Sequence, residues 1–217
     1  MAEDQVAHVD VDEIEGERPP PLDPEVAERR RLALAHVRQY GDPVLRATAR
    51  PIDVFDDKLL QEVARMGALM HDSLGIGLAA TQVGVLHRLL VYRVEVDAPV
   101  NALVNPVIEF SSDDEEWAEE GCLSLPAVHV EVERPVFVRV RAKDEHGEDV
   151  VVEASGLEAR VIQHEVDHLD GVLMLDRTEK DQRRAALRAL REGGTYAPER
   201  PEDEDESDPE VEASTEE

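Results

Sequence analysis

Five consecutive residues, His164-Glu165-Val166-Asp167-His168, carry the densest chemistry in the chain. On a helix, side chains four apart share a face, one turn from each other. Two imidazoles so placed can bind one metal ion. Glu165 cannot easily join them as a third ligand, but it stands beside the ion's open side, the place for a general base acting on water. The pattern alone arises by chance in about four of a hundred chains of this composition, and two incidental histidines on a surface helix would account for it. The flanks argue otherwise. Val161, Ile162, Val166 and Leu169 make the helix apolar on its other faces and predict burial. A buried helix bearing His, Glu, Asp and His needs partners for those polar groups.

A catalytic metal site takes three protein ligands and keeps one position open. The one cysteine, Cys122, lies within Glu119-Glu120-Gly121-Cys122-Leu123-Ser124-Leu125-Pro126. A lone Cys is commonly a small core hydrophobe. Gly121 ahead of it, however, permits close backbone approach, and a thiolate beside two imidazoles would ligate iron, zinc, nickel or cobalt. A third segment, Gly75-Ile76-Gly77-Leu78-Ala79-Ala80-Thr81-Gln82-Val83-Gly84, is rich in small residues. It lacks the Lys-Ser/Thr of a nucleotide loop and the spacing of a dinucleotide loop. Its small residues read instead as room for backbone or substrate. Within it, Gln82 is either an ordinary polar residue or a neutral amide donor facing developing negative charge.

The elements that must position these residues are visible in the hydrophobic pattern. Asp23-Pro24 predicts a helix start, carrying Val26, Leu32, Leu34, Ala35 and Val37 and ended by Tyr40-Gly41-Asp42-Pro43. Leu59, Leu60, Val63, Met66, Leu69 and Met70 give an amphipathic helix over 56–73. Strands are expected at 88–95, 102–110, 127–132, 136–142 and 149–153, then a helix from Leu157 to Leu169 and a basic one near 178–191. Helices interrupted by many short strands, without βαβ alternation, predict an α+β fold with a largely antiparallel sheet packed around the helix that carries the two histidines.

Charge divides the 217 residues further. Of a net charge of −28, residues 1–28 hold −9, with 10 acids and one base, and residues 192–217 hold −11, with 12 acids and one base. Segments 1–23 and 193–217 are therefore expected as disordered acidic extensions, flanking one catalytic domain over 24–192. The acidic balance excludes a general DNA or RNA binder. No apolar run reaches the roughly 18 residues a membrane span needs. The acidic start lacks the regions of a secretory signal, and a single cysteine fits a reducing cytoplasm.

Taken together, Gly75 to Gln82, Glu120-Gly121-Cys122-Leu123-Ser124 and Gln163-His164-Glu165-Val166-Asp167-His168 resemble the three signature motifs of the peptide deformylases, in order and at compatible spacing. The resemblance runs from about Val37 to Asp176. It implies an enzyme that removes the formyl group from the N-terminal formyl-methionine of nascent polypeptides. Cys122, His164 and His168 would hold one divalent ion, Fe²⁺ in the cell, with Zn²⁺, Ni²⁺ or Co²⁺ as alternatives after purification. Glu165 would be the base, and Gln82 with the backbone N–H of Leu123 would bind the oxyanion. Ile76, Leu157 and Val161 are candidates for the methionine pocket, and backbone at Ile76, Gly77 and Gly121 for pairing with the substrate chain. Asp167 would orient the helix and Glu120 would pair with Arg134.

Two positions depart from the family pattern, Ala127 after Ser124-Leu125-Pro126, and His129 where some members carry a substrate-contacting Arg. The basic segment 177–191, six bases against two acids, is either a solvated amphipathic helix or one that makes transient ribosome contact. Two other readings remain at this level, a different metal-dependent hydrolase and a non-catalytic binding module. The cysteine ligand argues against the first, and the completeness of the ligand-and-base set against the second.

Overall fold

A computed structural model describes residues 22–95 and 97–198. The expectation for 1–21 and for 199–217 lies outside the described residues. Helix α1 (Pro24–Leu34) opens where Asp23-Pro24 predicts, with the Asp23 carboxylate accepting the backbone N–H of Glu25 and Val26. Helix α2 (Asp57–Asp72) is capped in the same way by Asp56. Strands β1 (Gly77–Ala79), β2 (Leu89–Tyr92) and β3 (Asn101–Ser111) follow, then β4 (Glu115–Cys122), β5 (Leu125–Pro135), β6 (Phe137–Lys143) and β7 (Asp149–Ser155). Helix α3 (Gly156–Leu169) carries the two histidines, and α4 (Met174–Arg177) and α5 (Lys180–Glu192) end the fold.

The α+β expectation holds, and every strand pairing is antiparallel. Five strands make one sheet in the order β1-β2-β3-β6-β7, and β4 and β5 make a separate hairpin. Every residue of β2 is buried because both sheet faces are covered there. Leu90 and Tyr92 pack with Ile162 and Leu169 of α3, while Leu89 and Val91 pack with Met66 and Met70 of α2. On β5, Val128, Val130 and Val132 meet Met174, Leu175 and Ala186 of α4 and α5.

Four details differ from the pattern-based reading. Helix α1 stops at Leu34, so Ala35 and Val37 lie beyond it. The glycine-rich segment contributes an edge strand, β1, and the acidic run Glu115–Cys122 is a strand although it shows no apolar alternation. The C-terminal extension also begins later than 193. Gly193 closes α5 in the left-handed conformation (φ 69°), and Tyr196 then runs beside β5, donating its N–H to Ala127 and accepting that of His129.

Candidate metal centre

Helix α3 lies across β1 and β2, so its polar face meets the tip of the β4–β5 hairpin. Pairing in that hairpin is regular to Gly121↔His129 and then shifts, with Cys122 opposite Leu125. Such an irregularity re-aims a side chain, here the thiol of Cys122, which comes to 3.2 Å from His168 Nε2. The donor atoms of Cys122, His164 and His168 all lie within 4.8 Å of one another, and all three residues are buried. The two imidazoles meet edge to face, ring centres 4.9 Å apart. One sulfur and two ring nitrogens form a donor set suited to a divalent transition metal, with three protein ligands and room for a fourth.

The electrostatics fit a cation at this point. His164 is held well above the usual imidazole value. Burial opposes its charge, but hydrogen bonds with Cys122 and Glu120 outweigh burial. His168 is held well below it, by burial first and then by the neighbouring His164, which leaves a neutral ring with a ligating lone pair. Around His164 stand Cys122, Glu120 and Glu165, negative partners that would also favour a cation bound beside it.

Glu120 fixes the outer nitrogen of the first ligand, with Oε2 2.9 Å from His164 Nδ1. Its other contacts are Arg134 Nε at 2.6 Å, Arg134 Nη2 at 3.0 Å and Arg160 Nη1 at 2.9 Å. Burial would raise this carboxyl, yet the hydrogen bonds from His164 and Arg134 hold it far below the carboxylate range. Arg134 also reaches Asp167 at 2.9 Å, and Arg177 binds the other oxygen of Asp167 at 2.6 Å. The expected Glu120–Arg134 pair is present, and Asp167 anchors α3 through two arginines. Arg160 had no signal in the sequence beyond being one arginine among many.

Breaking a buried pair by removing one partner costs about 3–5 kcal/mol. Arg134→Met should fall near the lower end, about 3 kcal/mol, because Arg160 and Arg177 remain for the two acids. Urea unfolding should show the midpoint lowered with an unchanged slope. A midpoint equal to that of the parent protein would mean the network contributes nothing net.

Glu165 and Gln82 complete the site. Glu165 lines the same cleft, is buried, and its Oε2 has no hydrogen-bond partner among the described residues. Burial pushes its carboxyl up to about 7, against the attraction of His164, a value suited to exchanging protons near neutral pH. Gly77 leaves space for it, since a Cβ there would stand 2.9 Å from Glu165 Cδ. Gln82 Oε1 accepts the N–H of Ala79 at 2.9 Å. That bond sets the amide orientation, so Nε2 faces Cys122 Sγ at 3.6 Å and Ser124 Oγ at 3.3 Å.

The cleft measures about 280 Å³ and is also lined by Ile76, Gly121, Leu123, Leu157 and Val161. All of the residues expected in the site from sequence therefore converge on one place. Val161 is buried, whereas Ile76 and Leu157 are 44% and 56% exposed and form the rim. His129 is on the rim as well, its Nδ1 2.7 Å from Glu119. No helix among the described residues is long and apolar enough to cross a membrane.

Known proteins resemble this chain in sequence and fold. The family model described as polypeptide deformylase matches residues 34–184. The peptide deformylase of Acidothermus cellulolyticus is 44% identical over 161 residues, 74% of this chain and 88% of that protein. That of Thermotoga neapolitana is 48% identical over 147 residues, 68% of this chain and 88% of that one. Among solved structures, a peptide deformylase from Synechococcus elongatus in complex with actinonin superposes with a TM-score of 0.69 at 44% identity, covering 73% and 88% of the two chains. The peptide deformylase of Thermotoga maritima gives 0.64 at 44% identity, covering 66% and 96%. With a matched model over most of its length and relatives well above 40% identity, the chain belongs to the polypeptide deformylase family.

Proposed function

We propose that the protein hydrolyses the formyl group from the N-terminal formyl-methionine of nascent peptides, using Glu165 as base and Cys122, His164 and His168 as ligands of one divalent ion, Fe²⁺ in the cell. The observation that carries this reading is the convergence of one thiol and two imidazoles within 4.8 Å, beside a buried carboxyl and an oriented amide. When bound, the ion supplies Lewis acidity, lowering the pKa of water from 15.7 toward about 7. The chain's own groups do the rest. Glu165 accepts a proton from the attacking water. Gln82 Nε2 and the N–H of Leu123 donate to the oxygen of the formyl group as it gains negative charge. Glu165 then returns its proton to the amine as the C–N bond breaks, and formate and a free methionine N-terminus leave.

The substrate chain has a place to lie. Among the described residues β1 is the edge strand of its sheet and β4 pairs only with β5, and Gly77 of β1 and Gly121 of β4 both line the cleft, with Ile76 just ahead of β1. An extended peptide added between them gains main-chain hydrogen bonds. The cleft is at the small end for ligand sites, which suits one side chain and a formyl group. Val161, Leu157 and Ile76 would line the methionine side chain.

Formate release from a formyl-Met tripeptide, with the acetyl analogue as control, tests the assignment; equal turnover of both would refute it. Gln82→Ala should lose about 10²–10³ in kcat with KM little changed, and an unchanged kcat would remove Gln82 from the oxyanion site. The reading extends to a cytoplasmic location and to transient ribosome contact through α5. Its apolar residues Ala186, Leu187 and Leu190 are covered by β5, leaving Lys180, Arg188 and Arg191 on the outside.

A further inference from the structure

One cation lining the cleft comes from outside the family match. Arg30 lies on α1, ahead of residue 34 where that match begins, yet it lines the same cleft as Leu74, Gly75 and Ile76. Its neighbours are occupied elsewhere, Arg29 with Asp72 at 3.5 Å and Arg31 with Glu28 at 2.6 Å. Arg30 has no carboxylate partner among the described residues. Its Nε donates to the carbonyl of Ser73 at 3.3 Å, and its Nη groups have no acceptor there. The other carboxylates of the cleft already have partners, Glu119 a contact with His129, and Glu120 ion pairs with Arg134 and Arg160.

The direction of the cleft gives this cation a role. The reacting carbon must sit at the Cys122 and Glu165 end, beside Gly77. β1 itself spans Gly77–Ala79, and ahead of it the cleft lining continues through Ile76 and Gly75 to Leu74 in the turn that ends α2, where the Ser73 carbonyl holds Arg30. An extended peptide leaving the reacting end on this side passes these residues in turn. At roughly 3.3 Å per residue, the guanidinium meets the side chain about two positions past the methionine. We propose that Arg30 selects formyl-methionyl peptides with an acidic side chain at the third residue. This rests on the deformylase reading and adds a subsite to it. The Nη donors of a guanidinium match a carboxylate in geometry as well as charge.

The test uses the full chain loaded with its metal and three C-terminally amidated peptides, formyl-Met-Ala-Glu, formyl-Met-Ala-Gln and formyl-Met-Ala-Lys. Amidation removes the terminal carboxylate that would otherwise mimic the signal. The parent protein should favour Glu over its isostere Gln by about three- to fivefold in kcat/KM, the size of a half-exposed ion pair, through KM. Arg30→Gln should bring that ratio to near one, Arg30→Lys should keep most of it, and Arg30→Glu should favour the Lys peptide. The net negative charge of the chain acts similarly in all four proteins, so the change between them isolates residue 30. A parent ratio near one, or a ratio that survives in Arg30→Gln, overturns the proposal. Formate from none of the peptides would overturn both it and the deformylase reading.

Discussion

Cys122→Ala purifies without stoichiometric metal, and its formate release falls to the level of buffer alone. Two features of the site make this the expected result. Removing the sulfur leaves two imidazoles on one helix, too few for the three-ligand set that a catalytic site uses. It also removes the only ligand contributed from outside α3, since His164 and His168 are both on that helix and Cys122 stands on the hairpin. Elemental analysis of the purified variant checks it. Unchanged stoichiometry would show that the sulfur is not a ligand. The fold should survive the change, because Cys122 is one small member of a cluster held by Leu125, Val128, Val130 and Val132, and far-ultraviolet dichroism should match the parent.

That dependence on two distant elements also shows what could be read from the residues and what could not. The two histidines are four apart on a helix, a local spacing that needs nothing else to be seen. The apolar pattern around them gave the burial of Ile162 and Leu169. Strand β4 was invisible because Glu115-Glu116-Trp117-Ala118-Glu119-Glu120 carries four acids and no alternation. It is a strand because β5 pairs with it and because Arg134, Arg160 and His164 receive the one acid that is buried, Glu120. Those partners come from 14 to 44 positions away in sequence, so no window of local periodicity contains them. Arg29, Arg30 and Arg31 likewise look interchangeable as a triplet. Arg31 pairs with Glu28 one turn back on the same helix, a local spacing, whereas only the packing of α1 beside α2 sends Arg29 to Asp72 and Arg30 to the cleft.

The same separation of roles gives the Glu165→Ala variant the opposite signature to that of Cys122. It keeps its metal and loses turnover by about 10²–10⁴-fold, the range for a positioned acid–base group. The metal stays because Glu165 is not among the three donors, and the ligand His164 keeps its orientation through Glu120 rather than through Glu165. Turnover falls because no other carboxyl can take its place. Glu120 is tied to Arg134, Arg160 and His164, and Glu119 faces His129 on the rim. Stability should not fall in step, since among the described residues Glu165 Oε2 has no protein hydrogen-bond partner to lose. Catalysis and metal content thus separate cleanly, and the measurement is a pair of numbers on one sample: kcat for a formyl-Met peptide and metal per chain. Full activity with full metal would take the proton-transfer role from Glu165, and loss of both would make it a structural support of the metal site.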